Sequence, residues 1–422
     1  MSDRTHFLSG RHIVVAGGGI AGLSFAVALR KLWPPQVPPP KLTILERDSK
    51  EDALGRAGYS LSLAGYDETG GLVALRDLGL LDTILKHAIL GTQDGSTGAS
   101  FKAWNPDWTE LLSVRFKPAP GLPTSSIRIA RKNLRKTLID AVPDEVRWGS
   151  TCLSATKTKN GRVSLRISGG NGGKPESTVE CDLLVVADGA SSKVRASLRP
   201  DDQLEYAGAV QLIGQASFPN GIPPPLDRNW GQQLSGGHGV ACFYSPVDSH
   251  SVVWGLSYVD PTFRPKVGPF RSREEILPVL EEARRRGHML GPRFLEVLDA
   301  TEDPTSVLVS PARDKKPFAH NPSELGPVVF IGDSNHAVSP FAGYGASLAL
   351  KDGWDLAEKV IQASSVDNAI RNYDAVSVPR AVKVLQTSRT RIKHGHSTGV
   401  SYFLFRTFLS VMGYLLWLSG RA

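Results

Sequence analysis

An α/β fold is predicted, with a main domain built from three distant pieces of chain, an inserted antiparallel sheet and an apolar helical tail. Three observations predict it. Gly17-Gly18-Gly19-Ile20-Ala21-Gly22 directly follows the apolar run 13–16. Asp188-Gly189 ends the run 183–187. Gly332-Asp333 ends the run 328–331 and leads to Pro340-Phe341-Ala342-Gly343-Tyr344-Gly345. Each is a strand feeding a turn, and each alone is a weak signal. In this order along one chain they describe one extended ligand gripped from three sides.

At 422 residues the chain is too long for one small core and suits two domains, or one large domain with an insertion. With 41% hydrophobic and 21% charged residues the composition is that of a soluble α/β protein. Cys152, Cys181 and Cys242 form no CxxC and no His pairing, so they read as buried thiols in a reducing compartment. Residues 1–11 are polar and show no secretory leader, so a cytoplasmic location is expected. The net charge is +8, but the Lys and Arg residues are scattered and are not interleaved with aromatics. Nucleic acid is therefore not an expected partner.

The elements follow in order. Residues 13–16 are a strand and 20–32 a helix, which the proline-rich segment 33–40 must stop. A second strand at 42–46 completes a βαβ unit. Helical signal returns at 71–85 and 134–141, and strands at 163–167 and 183–187. From 201 to 325, Gly and Pro punctuate short apolar runs at 210–213, 240–244 and 252–258, the pattern of an antiparallel sheet. A helix is expected at 272–286, weakened in its first half by Pro278, and others at 345–359 and from 369 onward. The expected division is 1–84, 126–200 and 326–390 for the nucleotide domain, 85–125 and 201–325 for the substrate domain, and 391–422 for the tail.

Gly17, Gly19 and Gly22 have separate tasks: the tight turn, the close approach of backbone to a pyrophosphate, and close packing of helix on strand. The helix N-terminus then points unpaired N–H groups at the phosphates. Glu46 ends the next strand, where a carboxylate accepts the ribose hydroxyls of an adenosine and repels a 2′-phosphate. FAD or NAD fits this position, and NADP does not. Arg47 beside it either stacks on adenine or is a solvated charge.

The second and third motifs separate FAD from NAD. Asp188-Gly189-Ala190-Ser191-Ser192-Lys193-Val194-Arg195 matches D-G-x-x-S-x-x-R, and Gly332, Asp333, His336, Pro340, Gly343 and Gly345 match G-D-x-x-H with P-x-x-G-x-G. In these motifs the chain resembles the class A flavoprotein monooxygenases, which have the para-hydroxybenzoate hydroxylase fold. The resemblance implies a discontinuous Rossmann-type FAD domain with an inserted antiparallel substrate sheet. It implies that Asp188 supports FAD and lies on the path of NAD(P)H, and that Asp333 holds the ribityl hydroxyls. The turn and helix start at Pro340, Gly343, Gly345, Ala346 and Ser347 would then lie against the flavin pyrimidine, where a helix N-terminus stabilises the anionic reduced flavin. Residues 129–135 resemble the family's R-x-x-L helix start, which assigns Arg131 to FAD.

Residues 58–63, with Gly71 and 78–82, are similar to the tetracycline-inactivating and fungal secondary-metabolite monooxygenases, and they place Gly58 beside the cofactor. Ser347 stands where the family usually has Asn, and its hydroxyl is expected to keep one hydrogen bond to the flavin. No second GxGxxG, no halogenase Trp segment, no CxxC and no metal-spaced His pair occurs, so no metal is expected.

The resemblance therefore implies an FAD-dependent monooxygenase consuming NADPH or NADH and O2. It would hydroxylate or epoxidise a largely apolar small molecule, such as a polyketide, terpenoid, alkaloid or aromatic, through a flavin hydroperoxide. An FAD oxidase or dehydrogenase is the alternative, and a flavin-binding protein without turnover a more distant one. No catalytic side chain is assigned. Gln215, His238, Phe243 and Tyr244 of the inserted sheet are candidates for the substrate wall, though each also reads as structural. Arg56 is a candidate for a nicotinamide phosphate. The apolar tail at 402–418 has three readings: a helix packed on the protein, which is favoured, a peripheral membrane contact, and a span, which Arg406 disfavours.

Overall fold

A computed structural model describes residues 6–55, 59–90, 100–169 and 176–420. Its centre is a five-stranded sheet in the order Val328–Phe330, Leu183–Val186, His12–Ala16, Lys41–Leu45, Val146–Arg147, with every neighbouring pair parallel. Leu183–Val186 is buried along its whole length, and His12–Ala16 is buried from Ile13 on, as an unbroken apolar run requires. Alternate residues serve opposite faces. Ile13 and Val15 join the core under the helices Ile20–Leu32 and Gly345–Gln362. Val14 and Ala16 pack with Leu165 and Ile167 of a three-stranded antiparallel sheet, Ser150–Lys157, Val163–Gly169 and Ser177–Cys181. One face is thus covered by helices and the other by strands.

The two helices cross at Gly353, where a Cβ would lie 2.4 Å from the Phe25 backbone nitrogen. Only glycine permits that approach.

The inserted sheet has seven strands, in the order Leu308–Asp314, Glu205–Ser217, Ser251–Val259, Val240–Pro246, Trp230–Leu234, Phe101–Trp104, Glu110–Val114. All pairs are antiparallel except Trp230–Leu234 with Phe101–Trp104. One face packs under the helices Arg273–Arg286 and Pro292–Asp299, with Leu212, Cys242, Tyr244 and Trp254 against Ile276 and Phe294. The first of these helices is the one expected at 272–286, and it runs through Pro278 without a break. A smaller antiparallel sheet, Ser60–Ala64, Ser126–Ala130 and Ala88–Leu90, lies against the other face: Ser60 Oγ is 2.8 Å from Ser245 Oγ.

The 30-residue helix Val366–Gly395 ties the two parts together. Its start, at Ile370 and Tyr373, sits in the nucleotide-domain core. Its end packs Ile392 on Ala209 and Ala312, and Arg389 pairs with Asp314 at 2.7 Å.

The tail differs from the packed helix expected. Gly399–Leu418 is helical and lies along Glu110–Val114, but Leu409 is its one buried residue. The apolar residues encircle the helix, and the protein covers only a narrow stripe of them.

Candidate functional site

The three motifs meet because the strands that carry them are neighbours. Gly17, Asp188 and Gly332-Asp333 follow the C-terminal ends of three adjacent parallel strands, the position where open α/β sheets bind ligands. Gly17 has φ +110°, and a Cβ there would stand 2.4 Å from the Ala187 carbonyl oxygen. A Cβ on Gly22 would be 2.3 Å from the Gly17 carbonyl oxygen. Helix Ile20–Leu32 starts with no side-chain cap and no acidic residue in its first turn, leaving its first N–H groups for an anion.

Glu46 is buried at the end of the neighbouring strand and already engaged. It accepts from the N–H groups of Gly18 and Asp48, both at 3.0 Å, and pairs with Arg135 at 2.8 Å. A carboxylate offers about four lone-pair sites, so capacity for a ribose hydroxyl remains. Arg135, which the sequence reading missed, fixes this carboxylate and also donates to the Gly18 carbonyl. Arg47 is 71% exposed and lies 3.6 Å from Asp48. Gly58 and Arg56 lie outside the described residues.

Asp188 lies at the start of the helix Lys193–Leu198, whose N-cap is Ser192. Its Oδ2 accepts from the N–H groups of Lys193 and Val194, while its buried Oδ1 has no partner. Burial pushes this carboxyl above its ordinary value, against the pull of those hydrogen bonds. Arg195 donates to the Ser334 carbonyl at 2.8 Å and so joins the second motif to the third.

Asp333 itself is reachable by solvent but set deep among protein groups, and its carboxylate makes no hydrogen bond among the described residues. Burial raises its pKa, with His336, Arg131 and Arg195 opposing and Asp352 adding to the rise. Half-buried Arg131 therefore faces the same crevice. An uncapped helix start, an orphaned Asp188 oxygen, an unpaired Asp333 and a nearby Arg131 are the groups that a pyrophosphate and a polyhydroxylated ribityl chain need. FAD fits them.

The crevice floor rests on a buried charge network. Asp352 accepts from the Gly332 N–H at 2.8 Å, contacts His336 Nε2 at 2.6 Å and pairs with Arg380 at 2.9 Å. Burial alone would raise Asp352, but His336, Arg380 and the Gly332 N–H hold it well below the usual carboxylate range. His336 moves the other way: burial would lower it, and Asp352 raises it. Sequence motifs pointed to His336. Asp352 and Arg380 carry no local signal and were missed.

In the last motif Pro340 and Gly343 are exposed, Gly343 turns with φ +64°, and Gly345 and Ala346 are half-buried at the start of the following helix. Ser347 departs from expectation. It is fully buried, and its hydroxyl accepts from the Ala64 N–H at 3.1 Å. Third in the helix, its side chain points at strand Ser60–Ala64 rather than into the crevice.

On the substrate side, strand parity decides the roles. Tyr244 lies on the helix-covered face, fully buried, with its hydroxyl donating to Gln233 Oε1 at 2.8 Å, so it does not line a substrate wall. Its neighbour Phe243 points the opposite way. Gln215, Ile213, Gln232 and Phe243 are half-buried on that second face. His238 is exposed between strands Trp230–Leu234 and Val240–Pro246, bridged to Thr398 at the foot of the tail, and so is not part of that face.

Arg128, also missed, projects towards the same side. It bonds Ser60 and Ser62, its Nε has no partner, and it stands 5.8 Å from the Phe243 ring. It makes no ion pair among the described residues, and burial pushes its guanidinium down to about 9. Among the described residues no carboxylate compensates this buried cation, and an oxygen anion brought beside it would do so. Among the described residues no three His, Cys, Asp or Glu side chains gather as a metal site.

The fold and this crevice define a flavin-dependent oxygenase class. Residues 11–221 match the family described as FAD binding domain, and the chain belongs to that family. It is 42% identical over 400 residues to monooxygenase cfoF of Aspergillus candidus, covering 94% of each chain. Among solved structures it is similar to Klebsiella pneumoniae HpxO complexed with FAD and uric acid (TM-score 0.75, 19% identity, 98% and 97% of the two chains). Tetracycline destructase Tet(55) also shares the fold (TM-score 0.67, 16% identity, 97% of each chain). The chain is an FAD-dependent monooxygenase of class A, as its motifs implied.

Proposed function

We propose that the enzyme oxidises NADPH or NADH and inserts one atom of O2 into a largely apolar small molecule that carries an ionisable hydroxyl. The balance is substrate C–H, O2, NAD(P)H and a proton giving substrate C–OH, water and NAD(P)+. Bound FAD supplies the redox chemistry, and the chain supplies the surroundings. The uncapped helix start at Ile20, the orphaned oxygen of Asp188, Asp333 and Arg131 would hold the cofactor. The half-buried face of Ile213, Gln215, Gln232 and Phe243 excludes water and orients a flat or bulky apolar body. The observation that carries the substrate reading is Arg128: a buried guanidinium with no ion pair among the described residues would stabilise a phenolate or enolate and so make the attacked carbon electron-rich. Nothing else is required of a protein base.

The test is a metabolite screen for accelerated NAD(P)H oxidation, followed by turnover under 18O2. One labelled oxygen in the product, with phenols preferred over their O-methyl ethers, is the expected result. Product without label refutes oxygen insertion. Equal turnover of phenol and ether refutes the role given to Arg128.

A further inference from the structure

The tail helix Gly399–Leu418 has 20 residues, about 30 Å at 1.5 Å each, and Arg406 is its one charge. Its protein-facing stripe is narrow and spaced at three and four residues. Tyr402 sits on Gly237, Phe405 and Leu409 pack with Leu111 and Leu234, and Gly413 lies against the Leu111 backbone. At Gly413 a Cβ would stand 2.7 Å from the Leu111 carbonyl oxygen, so the contact depends on glycine.

The rest of the helix is apolar and open: Phe403 is 62% exposed, Phe408 58% and Trp417 66%. More than half of the exposed large hydrophobics among the described residues lie on this one helix. Soluble monomers rarely leave so continuous an apolar face to water.

We propose that this face lies in the plane of an anionic lipid bilayer and anchors the enzyme to its surface. Charge selects the occupant. Residues 375–422 hold seven Lys and Arg and no Asp or Glu, and of these only Arg380 and Arg389 pair with acids elsewhere among the described residues. Lys393 and Arg406 are exposed and form no ion pair among the described residues. Anionic headgroups complement that surplus. A second copy of this chain would instead bring a second acid-free basic tail against the first. The docking geometry gives the orientation: with Tyr402 and Gly413 both seated on the protein, the helix axis runs along its surface and does not cross a bilayer. Tyr414 and Trp417, stacked with centroids 5.9 Å apart at the outer end, suit the headgroup level.

The experiment uses full-length, flavin-loaded enzyme and flotation with vesicles of phosphatidylcholine alone or mixed with phosphatidylserine. Co-flotation with the mixed vesicles, weakened by salt, is expected. A Phe403→Ser/Phe408→Ser/Trp417→Ser variant should lower the partition coefficient at least about a hundredfold, with flavin content and basal NAD(P)H oxidation unchanged. Should that variant misfold, Arg406→Glu alone should weaken binding to the mixed vesicles roughly tenfold. Failure of the wild type to float overturns the proposal, as does full binding by Arg406→Glu. So does retention after alkaline carbonate, the mark of a span, or a dimer that the triple variant dissolves.

Discussion

Replacing Asp333 by Ala separates cofactor binding from folding. In the FAD-free protein the Asp333 carboxylate makes no hydrogen bond among the described residues, and the protein groups packed around it, Asp352 among them, raise its pKa. A raised carboxyl pKa means that the ionised form opposes folding at neutral pH. Removing it should therefore leave the melting temperature of FAD-free protein unchanged or slightly higher. With FAD bound the same carboxylate accepts ribityl hydroxyls, and a hydrogen bond to a charged group contributes about 1.5–3 kcal/mol. Loss of one such bond raises the Kd roughly tenfold to a hundredfold. Titration of FAD into FAD-free protein, followed by flavin fluorescence, reads the affinity, and melting with and without FAD reads the stability. The expected pattern is a weakened Kd with no loss of FAD-free stability. A variant that carries stoichiometric FAD through gel filtration would refute this placement of Asp333.

Asp352→Asn should cost about 3–5 kcal/mol, because it leaves Arg380 and His336 buried without their carboxylate. The wild-type pH dependence follows from the two shifts. His336 is raised, so its contribution is full below its ordinary value of 6.5 and is lost as pH climbs through the higher folded value; Asp352 is lowered, so its contribution is lost only in acid below 3.8. Urea unfolding at about pH 6 and about pH 9 should show the alkaline loss in the wild type and a flatter profile in the variant. Arg128→Met removes a buried charge but also the hydrogen bonds to Ser60 and Ser62, so the two effects offset and folding stability should change by no more than about 2 kcal/mol, while kcat/KM for a phenolic substrate falls at least about tenfold; a stability loss without a kinetic effect would make Arg128 purely structural. Burial pushes the thiols of Cys152, Cys181 and Cys242 up to about 12, so iodoacetamide should label none in native protein and all three after unfolding. Rapid native labelling would show that these sites open.

Much of the cofactor site was legible from sequence because its recognition is local and made largely by backbone. A strand, a glycine turn and a helix N-terminus present N–H groups wherever that pattern occurs, and Gly17, Gly22 and Asp188 each act on neighbours a few residues away or on an adjacent strand. The acidic end of the second strand was legible for the same reason.

Tertiary structure decided what depends on partners distant in the chain. Phe243 and Tyr244 are adjacent in sequence, and only their register with Gly255 and Trp254 shows which faces the open side and which the core. Ser347 turned out to serve Ala64, a residue 283 positions away, and Glu46 to be held by Arg135. Arg128 reads as an ordinary strand residue until the sheets close over it and no carboxylate among the described residues pairs with it. The tail shows the same limit. Its sequence specifies an apolar helix, but whether that helix completes a core or faces outward depends on how much surface lies opposite. Strand Glu110–Val114 offers one narrow edge, so most of the helix is left open.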